Sequence, residues 1–404
     1  MSFVYTIFLH LYYIGIRLFS LTNDKANLWL NGRNEQKTRL KQIAIKNCIW
    51  FHTSSLGEFE QVSYVIETIK LKYPKEKILV TFFSPSGFEM KKNFKFADEV
   101  LYLPFDFQNT INSFISIVQP KLVFWVRYEF WLNALEKIKS ENIPLILLNG
   151  VFRNKITLLY KPYLKKCLRC FSEITVINSS SQNNLNLLGF SSKIIYDTRY
   201  SRMNQVLQMP FEDNAIQHFC NHDKIIVCGS IWSSDDKVLE QSIIKHNDIR
   251  WLLVPHEVDS SRIEELRTLY PNAQIHSKYD KSKISNILII DSIGFLSRIY
   301  RFADLAYVGG GFNKVVHSLI EPLAYSLPII IGPHIEKSEE AKEFVRLNFA
   351  HQVTSSSEFE REMSLMLDSD NNISRQDKHN FFKEKIGSID EIIQLVAKYA
   401  SLNN

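Results

Sequence analysis

From residue 48 onward, short runs of consecutive apolar residues alternate with longer stretches in which apolar positions recur every three or four residues. The runs at 48–52, 78–82, 99–103, 122–125, 144–148 and 174–177 predict strands. The intervals predict helices, for example over 59–73, 110–118 and 132–140. The scheme repeats with strands expected at 225–228, 251–254, 287–290, 305–308 and 328–331. Runs that are apolar throughout suit parallel strands covered by helices on both faces. The pattern therefore predicts an α/β chain of two successive doubly wound parallel sheets, with a ligand cleft where they face. A length of 404 residues suits two cores better than one. Residues 200–214 are polar, include Pro210 and show no strand pattern, so the boundary is placed there. The expected division is an N-terminal helix over 1–22, a first domain over 23–203 and a second over 204–404.

The N-terminal segment departs from that pattern. Residues 3–21 are apolar and aromatic, and Thr6, His10 and Arg17 fall on one side of a helix. No basic residue precedes the segment and no small-residue cleavage site follows it, which argues against a secretory signal. A spanning helix would bury Arg17 at a cost of about 2.5–3.5 kcal/mol at mid-membrane, and less near the end. The favoured reading is a helix lying in or dipping into a membrane surface; the alternative is a packing helix of the first domain. Charge supports the membrane reading. The chain has 48 basic and 43 acidic residues, and residues 1–50 hold seven of the former and two of the latter, so the rest is neutral. That basic flank would be drawn to anionic headgroups. It lacks interleaved aromatic repeats, so no nucleic-acid partner is expected. Five scattered cysteines fit a reducing compartment, and Cys167-x-x-Cys170 has no second pair to complete a zinc site.

The densest chemical signal lies at 305–334. An apolar run ends in Gly309, Gly310 and Gly311, and the helix expected next carries His317 and Glu321 on one face. Such a turn would leave backbone N–H groups bare for an anion, and Glu321 could accept sugar hydroxyls. A phosphorylated sugar or nucleotide ligand would fit; glycines that merely reverse the chain, with His317 on the surface, fit equally well. Lys314 stands where a dinucleotide fingerprint needs its third glycine, and no GxxxxGK[ST] loop occurs, so nicotinamide and P-loop chemistry are demoted. In the first half, Ser55-x-x-Glu58 follows the strand at 48–52 and reads as a capping box. Gly57 is poor helix chemistry there unless another molecule approaches the backbone. At a strand's carboxyl end, Glu58 could take a proton from an alcohol. A helix start lowers its pKa and burial raises it, and the sequence leaves that contest open. Glu129 follows the strand at 122–125 inside an aromatic string, as a surface partner of Arg127 or as an acid beside a sugar-binding wall. Arg199, in Asp197-Thr198-Arg199-Tyr200, could reach a phosphate or carboxylate. Asp368-Ser369-Asp370 is the sole D-x-D pair and reads as a turn, so no metal site is expected.

Taken in order, HTSSLGEFEQ (52–61), TFFSPSGFE (81–89), YLPFD (102–106), YEFW (128–131), DTRYSR (197–202), CGSIW (228–232), VPHE (254–257), 291–312 and 317–334 resemble the Kdo transferase family across nearly the whole chain. Those enzymes move 3-deoxy-D-manno-octulosonic acid (Kdo) from its CMP conjugate to the lipid A precursor of lipopolysaccharide. The variant is similar to the Bacteroidetes-type form. The resemblance implies a GT-B architecture of two Rossmann-like domains, an N-terminal membrane anchor, and a place on the cytoplasmic face of the inner membrane. It also implies an inverting reaction without metal or other cofactor, with CMP-Kdo and a lipid A precursor (lipid IVA) as partners. It makes Glu58 the proton acceptor and aligns Glu129 and Arg199 with positions that stabilise the transition state. CMP binding carries over onto Pro255, His256, Ile293, Gly294, Phe295, His317, Ser318, Leu319, Ile320 and Glu321. The departures are His256 where many members have Arg, Phe295 where they have Glu, Ser318 where they have Asn, and Val315-Val316 in place of a Gly-Gly pair. Another GT-B enzyme, such as a nucleotide-sugar epimerase or a different membrane-associated glycosyltransferase, is the alternative, and a catalytically idle membrane scaffold is the third.

Overall fold

The computed structural model describes residues 2–40, 42–43, 45–127, 129–153, 160–221, 224–313, 315–368 and 372–400. The chain forms two units, one from Met1–Ser201 with Ile386–Asn404, the other from Arg202–Lys385. In the first, strands β1 (Ile49–Thr53), β2 (Ile78–Phe82), β3 (Glu99–Tyr102), β4 (Leu122–Val126), β5 (Leu145–Gly150), β6 (Glu173–Val176) and β7 (Lys193–Ile194) form one sheet in the order 3-2-1-4-5-6-7. Every pairing is parallel, with Ile49 level with Ile78 on one side and Leu122 on the other. Side chains alternate between two faces, as the pleat requires. Trp50, Leu79, Val123 and Leu147 join one apolar cluster, and Ile49, Phe51, Val80, Phe124 and Leu148 join the other.

In the second unit, β8 (Ile225–Ile231), β9 (Arg250–Pro255), β10 (Gln274–Ile275), β11 (Ile287–Ile289), β12 (Leu305–Val308), β13 (Ile329–Ile331) and β14 (Ala350–Gln352) are parallel in the order 10-11-9-8-12-13-14. Each sheet has one point where the strand order reverses, between β1 and β4 and between β8 and β12. Loops leaving the carboxyl ends there diverge to opposite faces and open a crevice. The expected doubly wound parallel sheets are therefore present in both halves. The edge strands β7, β10 and β14, two or three residues long, carry too little pattern to be expected from sequence.

Two local expectations change. The polar stretch placed as a linker is largely helix, Arg199–Gln208, and the division between units falls within it. The final helix, Ser388–Ala400, belongs to the first unit although 204–404 was assigned to the second. Its Ile392 and Val396 join the cluster of Val62, Val65 and Ile66. Of the D-x-D stretch, Ser369 and Asp370 lie outside the described residues.

The N-terminus forms helices α1 (Ser2–Phe19) and α2 (Asp24–Leu40). Tyr5 and Leu9 are buried in the first unit's core, whereas Phe3, Val4, Phe8, Leu11, Leu18 and Phe19 on the same helix are exposed. The helix is thus docked along one face and bare along another. Among the described residues, no single helix is long and apolar enough to cross a membrane, although Phe3–Phe19 and Asp24–Leu40, bent by 118°, pass that test together. Arg33, one of the basic flank, is buried and donates to the Leu103, Trp29 and Phe83 carbonyls, so its charge serves the fold. The anchor of α1 is polar: Tyr5 Oη donates to Asp106 Oδ2 at 2.6 Å, and Asp106 also accepts from Asn133 N and Ala134 N, at 2.9 and 2.8 Å. Burial pushes the Asp106 carboxyl up to about 7, against the pull of those donors. Tyr5→Phe should keep the ring but lose the hydroxyl, destabilising the first unit by about 1–3 kcal/mol. Denaturant melts of the two proteins would measure it.

Candidate active site

The first candidate constellation sits where β1 and β4 part. After β1 the chain turns through Ser54 and Ser55 into α3 (Leu56–Lys72). Ser55 Oγ accepts from Glu58 N at 3.4 Å, which is half of the expected capping box. The other half is displaced by one residue. The Glu58 carboxylate reaches back to Ser54, accepting from its backbone N at 2.6 Å and its hydroxyl at 2.7 Å. Burial raises the Glu58 pKa, the Ser54 donors lower it, Glu129 raises it further and His52 lowers it. The net direction is upward, so burial prevails over the helix start and leaves Glu58 a stronger base than an exposed glutamate. Gly57 is exposed, and a Cβ there would meet nothing within 4 Å, so the site is open at its backbone.

Glu129 reaches the same place from β4. Arg127 adopts a left-handed φ of 67°, and its N–H is held by the Leu148 carbonyl at 2.8 Å. This kink redirects the chain just before the glutamate. The Trp125 indole then donates to the Glu129 carbonyl at 2.5 Å. The Glu129 carboxylate lies 3.9 Å from His52 Nε2 rather than pairing with Arg127. Arg127 Nε instead donates to Gln61 Oε1 at 3.0 Å, and Gln61 Nε2 donates to Asp197 Oδ2 at 3.0 Å. Asp197 in turn holds the Arg199 guanidinium, at 3.1 Å to Nε and 2.9 Å to the terminal nitrogen. Arg199 is therefore tied through Asp197 and Gln61 to the helix that carries Glu58. The sequence hinted at Glu58, Glu129 and Arg199 singly. His52 and Gln61 went unnoticed, although a histidine closing an otherwise apolar strand was a visible signal.

The second constellation sits where β8 and β12 part. Trp232 follows β8, His256 follows β9, and His317 lies in the segment after Gly309–Gly311 rather than on a helix. The helix there is only Ile320–Ala324, so His317 and Glu321 do not share a helical face. The three rings stack: His256 on His317 at 4.2 Å and Trp232 on His256 at 4.6 Å between centroids. Trp232 Nε1 donates to His317 Nε2 at 2.9 Å, which places the imidazole proton of His317 on Nδ1. Burial, and then His256, push the His317 pKa down to about 4, so at neutral pH it is uncharged. Some of the N–H groups expected to be bare are taken. Gly310 N is held by Asp235 Oδ2 at 3.1 Å, and Leu319 N donates to Glu340 Oε1 at 2.5 Å. Close packing explains the glycines: a Cβ on Gly309 would lie 2.4 Å from the Ser230 carbonyl, and one on Gly311 would lie 2.7 Å from Gly332 Cα.

The other residues expected to bind donor lie nearby in sequence but in separate groupings. Pro255 ends β9, and Ser318 Oγ donates to Glu340 at 3.3 Å, alongside Leu319 and the buried Ile320. Ile293 is exposed, Gly294 has a φ of 95°, and the Phe295 ring rests on His276 at 4.9 Å. The Tyr325 hydroxyl donates to the Ser297 carbonyl at 2.9 Å; burial raises its pKa, Arg301 lowers it, and the Glu321 charge raises it further.

Residues 30–203 match the family model described as 3-Deoxy-D-manno-octulosonic-acid transferase (kdotransferase). The 3-deoxy-D-manno-octulosonic acid transferase of Haemophilus influenzae is 25% identical over 378 residues, covering 88% of each chain. A bifunctional glycosyltransferase/methyltransferase of Fusobacterium nucleatum is 25% identical over 383 residues, 89% of this chain but 58% of that longer protein. A solved UDP-N-acetylglucosamine 2-epimerase from Rickettsia bellii superposes with a TM-score of 0.55 at 12% identity, covering 88% of this chain and 97% of its own. At that identity the likeness is one of fold.

The raised Glu58 pKa has a measurable sign. The folded state holds this proton more tightly than the unfolded chain, so its contribution to stability is present at low pH and is lost as pH rises through the folded value. Between pH 7 and about 4.3, the ordinary glutamate value, the melting temperature of wild type should rise relative to Glu58→Gln as pH is lowered. Thermal melts across that range would check it.

Proposed function

We propose that this chain, which belongs to the 3-deoxy-D-manno-octulosonic acid transferase family and is a glycosyltransferase, moves Kdo from CMP-Kdo to a lipid A precursor in lipopolysaccharide assembly. The observation that carries the reading is the Glu58 carboxyl. It is held by Ser54 at the start of α3, its pKa is raised by burial, and it shares its surroundings with Glu129 and His52 inside the stretch that matches the family. In the proposed step, an acceptor hydroxyl gives its proton to Glu58 as its oxygen bonds to the anomeric carbon of Kdo. The bond from that carbon to the CMP phosphate breaks, and CMP leaves with the electron pair. A direct displacement of this kind inverts the anomeric centre and needs no metal. Arg199, fixed by Asp197, supplies positive charge to the developing anion or the sugar carboxylate.

Donor contacts are assigned to Pro255, His256, Ile293, Gly294, Phe295 and the segment His317, Ser318, Leu319, Ile320 and Glu321. Since His317 is neutral, its part is hydrogen bonding through Nδ1 rather than charge. The exposed apolar face of α1 supports contact with a membrane surface, where the acceptor lipid resides, at the cytoplasmic face of the inner membrane. Lys25, Lys37 and Arg39 on α2 supply the accompanying basic charge.

Incubation with CMP-Kdo generated in situ and a tetraacyl lipid A precursor, followed by mass spectrometry of the lipid, tests the reading. A gain of one or more Kdo residues is expected; no gain with folded protein would refute it. Leu11 and Leu18 are 64% and 65% exposed. Leu11→Asp with Leu18→Asp should leave the melting curve nearly unchanged while reducing flotation with anionic vesicles several-fold.

A further inference from the structure

Two buried polar atoms beside Glu58 face each other without partners. His52 Nε2 and Glu129 Oε2 both lack a hydrogen bond, and they stand 3.9 Å apart, about 1 Å beyond an N–H···O contact. Leaving both orphaned costs free energy, so the arrangement calls for a reason. The other side of the imidazole supplies one. His52 is fully buried, and its Nδ1 lies 2.9 Å from Thr81 Oγ1. That hydroxyl oxygen already accepts the Trp50 indole N–H at 2.8 Å. Its own proton therefore goes to His52 Nδ1, the acceptor beside it. Were the imidazole proton on Nδ1 instead, Thr81 would accept twice and leave its own buried proton unpaired. The remaining imidazole proton must then sit on Nε2, directed at the carboxylate. Trp125 holds both partners, with its ring 4.2 Å from the His52 ring and its N–H on the Glu129 carbonyl.

We infer that His52 is a positioning residue for the transfer reaction: its Nε2–H, oriented by Trp50 and Thr81, closes onto Glu129 and fixes the orientation of that carboxylate. The inference rests on the transferase reading above for its catalytic consequence, and on geometry alone for the tautomer. The charged and titratable groups around Glu129 are His52 on β1, Glu58 on α3, Tyr12 on α1 and Arg33 on α2. All four belong to segments outside the β4 loop. A donor from β1 therefore ties Glu129 to the strand that leads into Glu58, and the two carboxylates keep a fixed relation.

The test has two arms. In protein carrying 15N-labelled histidine, with His52 assigned by comparison to His52→Gln, the ring should be neutral with its proton on Nε2, and Glu129→Gln should shift the Nε2 resonance. A proton on Nδ1, or a resonance indifferent to Glu129→Gln, overturns the inference whether or not the protein transfers Kdo. In kinetics, His52→Phe should lower kcat about 10- to 100-fold, less than the ~10²–10³ lost with a direct transition-state donor. KM for donor should stay within a few-fold. His52→Gln, which keeps an N–H near Nε2, should restore most of the rate. Equal loss in both variants contradicts the positioning role. Absence of transfer by wild type would defeat the function proposed above, and the resonance arm would still decide this one.

Discussion

Everything in the first unit depends on β1 and β4 lying side by side. They are distant in sequence, and the chain visits β2 and β3 between them, so the strand order reverses at their junction. That reversal brings the segment after β1, with His52, Ser54 and Glu58, beside the segment after β4, with Arg127 and Glu129. The register of Ile49 with Leu122 sets how far each strand runs before its loop begins. A one-residue slip in this pairing would move His52 away from Glu129 and exchange the strand's side chains between the two buried faces. The second unit repeats the device at β8 and β12, where Trp232 and the His317 segment meet.

The two crevices solve different electrostatic problems. In the first, carboxylates are kept under partial burial near one another, and backbone or side-chain N–H donors offset the cost of their charge. The result is a base of raised pKa at Glu58 and an arginine held in place by a carboxylate of its own at Asp197. In the second, three aromatic rings stack and the two imidazoles are driven towards the neutral form. A neutral flat platform with a single directed N–H suits recognition by stacking and hydrogen bonding more than by charge.

Much of this was legible in the chain. Apolar runs such as 78–82 and 122–125 gave strands because both faces of a parallel sheet are buried, which leaves no alternation to misread. Glu58 was legible because a capping box and a misplaced glycine coincide at a strand end. The histidine segment was misjudged for a physical reason. Glycines at 309–311 suggest open backbone, yet they are there to let β8, β12 and β13 loops approach, and Asp235 and Glu340 occupy some of the N–H groups. Long-range partners such as Thr81 for His52, or Asp197 for Gln61, leave no local trace, since each pairing is made by the sheet order and not by spacing. The helix at 388–400 was assigned to the wrong unit for the same reason: its amphipathic pattern says that it docks, but not where.

The central claim is that Glu58 takes the acceptor proton from its place at the β1–β4 junction. The most direct test is the single-turnover rate of Kdo transfer by Glu58→Gln, measured beside its CMP affinity. General-base catalysis of this kind is worth about 10²–10⁴ in rate. The account predicts a fall of that size with CMP affinity unchanged. A rate within a few-fold of wild type, with the variant folded and CMP bound, would contradict it.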